Sequence, residues 1–274
     1  GPSSEPDTPE AFSENPIYAS AANDALAPVG YTPAFVNAQA SVNEIGFLGL
    51  RTVSAYDPAL CAARCDSNPY CRAFLIYFER DPVTSSTCVE DGNPASMTNI
   101  VCTFYGYPVA IETATNDGQW RGNFRVVIAG SNGYNRHQSP PPATNFTTPV
   151  PLPGAINAPL YNGVDTYMGV KIYPDGPYDP SQCAAACQAQ TAYNKRHATD
   201  GIYKPCNFFN SYILSKSNAP LGTYCSFYSR SWGEEYATNF GQWRDSVRYD
   251  VSDSYGYSLE VPDYGGQEGP LETE

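Results

Sequence analysis

Tyr56-Asp57-Pro58-Ala59-Leu60-Cys61-Ala62-Ala63-Arg64-Cys65 organises this chain, because it comes back. Tyr178-Asp179-Pro180-Ser181-Gln182-Cys183-Ala184-Ala185-Ala186-Cys187 repeats its Tyr-Asp-Pro lead and its Cys-x3-Cys pair. Working outward, Cys102-Thr103-Phe104-Tyr105 precedes Gly118-Gln119-Trp120-Arg121. Cys225-Ser226-Phe227-Tyr228 precedes Gly241-Gln242-Trp243-Arg244 at the same offset to within one residue. Upstream, Phe47-Leu48-Gly49-Leu50-Arg51 matches Tyr167-Met168-Gly169-Val170-Lys171. Two copies of one cysteine-bearing module follow.

Each copy predicts a helix. Asp57 and Asp179 suit its N-cap, and Pro58 and Pro180 its first position. Cysteines at i and i+4 then share one helical face. Strands are expected after the third cysteine (Cys71, Cys206), around the fourth (Cys102, Cys225) and after the Gly-Gln-Trp-Arg motif. The insertions differ. Copy two carries Thr191–Asp200 between its second and third cysteines, as more helix or a loop. Copy one carries a loop with Cys88 between its third and fourth.

The 274 residues hold 9 cysteines and only two histidines, His137 and His197. Zinc sites want Cys-x-x-Cys knuckles or neighbouring histidines, so disulfides and an oxidising compartment fit better. Counting cysteines leaves the pairing open. The net charge of −13 disfavours nucleic acid and anionic lipid as partners. No apolar run of membrane-spanning length occurs, so no membrane insertion is expected.

Residues 1–30, rich in Pro, Ser, Ala and acid, read as a flexible lead-in. Module one spans 31–135. Residues 136–154 form a proline-rich linker, expected to be extended, with the sequon Asn145-Phe146-Thr147 as a glycosylation site. Module two spans 155–257, and 258–274 is a loose acidic tail.

A helix with Cys-x3-Cys, then Cys-x-x-Phe on a strand, then a cysteine on a later strand, resembles the PAN/apple superfamily. Tyr77–Pro82, Val127–Tyr134, Asp165–Lys171 and the Gly-Gln-Trp-Arg pair look like a group of secreted fungal proteins with two such modules. The resemblance covers residues 31–257. It implies an α+β class: two tandem PAN/apple-like modules, each a helix disulfide-stapled to a small antiparallel β-sheet. It also implies the pairs Cys61–Cys102, Cys65–Cys71, Cys183–Cys225 and Cys187–Cys206. Cys88 is left unpaired and is expected to be a buried or modified thiol, the alternative being a link to another chain. The superfamily implies non-enzymatic binding of protein or carbohydrate outside cells.

The residues carry no nucleophile elbow, no His-Glu-x-x-His and no phosphate loop, so no catalytic set, cofactor or metal is expected. Glu79 with Asp81, and Glu234 with Glu235, read as solvated loop charge. Trp120 and Trp243, duplicated before a strand, read as sheet cover rather than sugar-stacking rings. Tyr105, Tyr107, Tyr228 and Trp232, beyond the fourth cysteines, form the candidate binding cluster, since aromatics with a polar tip suit glycan surfaces. The expected function is a secreted or cell-wall-associated protein binding wall or matrix carbohydrate. The alternative is protein–protein adhesion or a structural matrix role.

Overall fold

The computed structural model describes residues 1–267; the end of the acidic tail, 268–274, lies outside the described residues. The chain divides into two compact units, 1–138 and 139–274.

In the first unit, helices α1 (Pro9–Ser13) and α2 (Pro16–Asp24) precede strands β1 (Tyr31–Ala38) and β2 (Phe47–Val53). Helix α3 (Pro58–Asp66) leads to β3 (Ala73–Pro82), β4 (Ser96–Tyr105), the short hairpin β5 (Trp120–Arg121) and β6 (Phe124–Arg125), and β7 (Val127–Arg136). The main sheet is antiparallel, in the order β1-β7-β3-β4-β2.

The second unit has β8 (Val150–Leu152), β9 (Tyr167–Tyr173), α4 (Pro180–Arg196), β10 (Phe208–Lys216), β11 (Ala219–Tyr228), β12 (Gly241–Arg244) and β13 (Val247–Ser258). They give a six-stranded sheet, β12-β13-β10-β11-β9, with β8 also on β13.

Both helix starts form as expected. Asp57 Oδ1 accepts from Ala59 N and Asp179 Oδ1 from Ser181 N, each at 2.9 Å. The copy-two insertion lengthens the helix, so α4 has 17 residues where α3 has 9. The four disulfides are Cys61–Cys102, Cys65–Cys71, Cys183–Cys225 and Cys187–Cys206.

The expected α+β architecture, a helix on a small sheet in each of two PAN/apple-like modules, is corrected. Strand exceeds helix, 39% to 18%, so sheets of five and six strands are the body of the molecule. The physical reason lies in β3. Phe74, Ile76 and Phe78 pack toward α3 and the disulfides. Their neighbours Ala73, Leu75 and Tyr77 pack on the other face, with Val42, Tyr105 and Val109. A strand buried on both faces reads as a continuous apolar run, and the helix covers only one of them.

Three segments expected to be flexible, extended or loose are built in. Phe12, Tyr18 and Ala22 of the lead-in are buried. The Tyr18 ring stacks on Phe78 with centroids 4.4 Å apart, and its hydroxyl donates to the Pro2 carbonyl at 2.7 Å. In the linker, Ala143 and Phe146 enter the second core, and β8 pairs with β13. Asn145 itself is exposed. In the tail, Asp263 N donates to Asn207 Oδ1 at 2.9 Å. Cys88 is free and exposed, not buried.

The edge strands β2 and β9 share one irregularity. Each skips a residue in its register at a glycine, Gly49 at φ 117° and Gly169 at φ 115°. Side chains rarely adopt that conformation.

Candidate functional site: a duplicated cleft and its hairpin

The four residues expected to bind are all inside. Tyr105 is 2% exposed, Tyr107 0%, Tyr228 3% and Trp232 8%. Their polar tips are turned inward. Tyr105 donates to the Val42 carbonyl at 3.0 Å, Tyr228 to the Ile156 carbonyl at 2.9 Å, and Trp232 Nε1 to Thr166 Oγ1 at 3.1 Å. The segments that cover this second sheet face bury them. Tyr105 also lines a cleft. Burial pushes its hydroxyl up to about 12, opposed by Thr103 and reinforced by the Glu44 charge.

That cleft occurs twice, on the sheet face away from the helix. In the second unit it encloses about 220 Å³ between Tyr167, Tyr212, Tyr224, Gln242, Arg244 and Tyr249. Tyr212 and Tyr224 stack with centroids 5.5 Å apart. The Arg244 guanidinium sits 4.5 Å over the Tyr249 ring. With its amide oriented to satisfy both groups, Gln242 accepts from Arg244 Nε and Nη2, each at 2.7 Å. Burial raises the hydroxyls of Tyr212 and Tyr224 above their ordinary value.

In the first unit the corresponding cleft is larger, about 320 Å³, and acidic. Phe47, Gln119 and Arg121 stand where Tyr167, Gln242 and Arg244 stand in the second. Glu79 replaces Leu214. The expectation that Glu79 and Asp81 are solvated loop charges is corrected: both lie on β3, and Asp81 is buried. Asp81 pairs with Arg121 at 3.3 Å and accepts from Asn99 Nδ2 at 2.9 Å. Burial raises the Glu79 carboxyl, Asp81 adds to the rise, and Arg121 opposes it. Burial also raises Glu44 to about 7, partly offset by Thr113. Glu234 and Glu235, by contrast, are exposed.

Glu44 makes a pH prediction. Folded, it keeps its proton to about pH 7; unfolded, it releases it near its ordinary 4.5. Between those values the folded state holds the extra proton, so stability falls as pH rises through that window. The melting temperature of the first unit should therefore decline from pH 4.5 to 7, and less steeply in Glu44→Gln. Equal slopes in the two proteins would refute the assignment.

The outer face of the hairpin holds what sequence reasoning misplaced. Trp120 and Trp243 are each 65% exposed and cover nothing. Strand alternation explains this: Gln242 and Arg244 face the cleft, so Trp243 between them faces out. Directly across the hairpin stand Arg125 and Arg248. Their guanidinium groups lie 5.6 and 5.7 Å from the indole centroids. Arg125 is tied to Asp117 at 3.0 Å and Arg248 to Asp250 at 2.6 Å. Each copy thus displays a tryptophan backed by a held cation.

The motif glycine makes this display possible. Gly118 and Gly241 have φ of 109° and 108°, and a Cβ there would lie 2.1 Å from the Val126 carbonyl oxygen or 2.0 Å from that of Tyr249. The signal that could have placed the tryptophans is the glycine two residues before them, which marks a sharp backbone approach rather than a packed strand.

Among the described residues no group of three or more His, Cys, Asp or Glu could hold a metal ion. Among the same residues no helix is long and apolar enough to cross a membrane. His137 bonds to Thr32 Oγ1 at 2.9 Å and His197 caps α4; neither lines a cleft. Comparison with protein-family models, with curated proteins and with solved structures returns no match.

Proposed function

We propose that this chain is a secreted or cell-wall-associated, non-enzymatic binding protein that takes carbohydrate through both units. We propose with it a kinship to the PAN/apple superfamily, carried by the cysteine frame. The observation that carries the function is the exposed tryptophan standing at the same place in each copy. An indole left two-thirds in water sacrifices burial, yet both copies hold it in place against an arginine. A flat, held aromatic surface suits the apolar face of a sugar ring. The cleft behind it supplies tyrosine hydroxyls, an amide and a guanidinium for ring hydroxyls. Four disulfides fit an extracellular setting. Two modest sites on one chain would add avidity.

The test is co-sedimentation with insoluble chitin, cellulose, β-glucan and mannan. Trp120→Ala and Trp243→Ala should each weaken binding to the retained polysaccharide by about tenfold, the loss expected of a central aromatic contact. Melting temperatures should hardly move, because the rings cover no core. Undiminished binding in the double variant would end this reading. A second reading, protein adhesion, is favoured by the exposed thiol of Cys88. Disulfide-linked dimers on non-reducing gels, absent in Cys88→Ser, would support it.

A further inference from the structure

We propose that the cleft of the first unit is a site for a protonated primary amine carried on a sugar ring, so that the two copies recognise different glycan chemistry. The proposal rests on the carbohydrate reading and names the substrate class of one of its two clefts.

The lining suits a cation. Glu44 Oε1, Glu44 Oε2 and Thr103 Oγ1 are all buried with no hydrogen-bond partner, and both residues line this cleft. Thr103 is only 3% exposed. Thr113 and Tyr105 lie near enough to feel Glu44 and Thr103, but their hydroxyl hydrogens are committed elsewhere: Thr113 Oγ1 donates to the Ala110 carbonyl at 2.8 Å, and Tyr105 to the Val42 carbonyl at 3.0 Å. A carboxyl group stripped of water and left without partners is costly, and burial makes it keep its proton until a cation arrives. Arg121 is the one cation among the lining residues, and Asp81 engages it at 3.3 Å. Glu79, on the neighbouring strand, adds a second carboxyl to the same cleft.

The fold does not demand this arrangement. The second unit builds the same cleft with Leu214 for Glu79 and Ser226 for Thr103, and among its described residues no buried side-chain polar atom lacks a partner. The walls of the first cleft are aromatic, with half-exposed Phe47 beside Tyr77 and Tyr105. Carboxylates framed by rings are what an ammonium group prefers. The space exceeds what a bare ammonium needs, and Asn43 and Gln119 line it for hydroxyl contacts.

The charged and titratable groups facing Glu44 are Glu79 and Tyr77 from β3, Tyr105 from β4, and Arg121 from β5. Glu44 and Glu79 hold protons near neutrality in the empty cleft because burial raises both. An arriving ammonium favours the carboxylate, so binding at about pH 6 releases protons to the buffer.

The experiment is titration calorimetry on the full chain, at about pH 6 and in two buffers of different ionisation enthalpy. The probes are the β-1,4-linked hexamer of glucosamine and its fully N-acetylated counterpart. The glucosamine hexamer should bind with proton release. In Glu44→Gln/Glu79→Gln its affinity should drop by about tenfold or more and the release should vanish, with the N-acetylated hexamer unaffected. Equal affinity in wild type and variant, or binding without proton release, would overturn the proposal. Binding of only the N-acetylated hexamer, sensitive to Trp120→Ala or Trp243→Ala, would overturn it too but leave the carbohydrate reading standing. If neither hexamer binds, the proposal falls. Neutralising the unpartnered Glu44 should not lower stability; should the double variant fail to fold, Glu44→Gln alone gives the same readout.

Discussion

Replacing Cys61 and Cys102 together by alanine should destabilise the first unit by about 4 kcal/mol, whereas replacing Cys65 and Cys71 should cost about 2 kcal/mol. The difference lies in the loop each bond closes. Cys61–Cys102 joins residues 41 apart and Cys65–Cys71 residues 6 apart. The entropy removed from the unfolded chain grows with the logarithm of that distance. The second unit sharpens the test. Cys183–Cys225 spans 42 residues and should behave like Cys61–Cys102. Cys187–Cys206 spans 19 because α4 is longer, so its loss should cost about 3 kcal/mol, more than its short counterpart. All eight sulfurs are buried, so the cavity penalty is similar throughout and the ranking reports on loop length. Denaturant titration of the four double variants checks it. Equal losses for the 6- and 41-residue loops would mean that packing around the sulfurs, not chain entropy, sets their worth.

Tyr18→Ala should destabilise the first unit by about 4 kcal/mol, as much as a residue at the centre of the sheet. The ring is fully buried between Phe12, at a centroid distance of 4.6 Å, and Phe78. Its loss leaves a cavity that β3 cannot close, since both faces of that strand are committed. It also strands the Pro2 carbonyl and Thr98, which the hydroxyl engages. Tyr18→Phe removes only the hydroxyl and should cost about 1 kcal/mol. Thermal melts of the two variants separate ring from hydroxyl. A loss under about 1 kcal/mol for Tyr18→Ala would mean the N-terminal helices are dispensable packing.

The lead-in was readable in part. Thr8-Pro9 and Asn15-Pro16 carry the same cap-and-proline signal as Asp57-Pro58, and both cap. Two helices of five and nine residues are too short for a convincing apolar period, so composition dominated the reading. The repeat, the helix starts and the strands after the third and fourth cysteines were legible because caps and alternation are local. The fate of the aromatics was not. Whether Tyr105 and Tyr228 face water depends on Val42, Val109, Ile156 and Ala237, in segments folding over the sheet from elsewhere in the chain. Trp120 and Trp243 reversed in the opposite sense, since a hairpin of so few residues has one face with nothing to meet. The acidic cleft escaped notice because Glu79 and Asp81, next to a proline, resemble a turn, yet β3 continues through them to Pro82.

The glycine bend shared by β2 and β9 bears on how such a molecule survives at high concentration. An open sheet edge is a template onto which a strand from another chain can crystallise, the first step toward a fibril. Here the outermost strand of each sheet is kinked by Gly49 or Gly169 and bears exposed Arg51 or Lys171 two residues on. A straight incoming strand would lose its hydrogen-bond register at the kink and meet a cation beside it. The sheets are thus closed to growth at that edge while their clefts stay open to ligand.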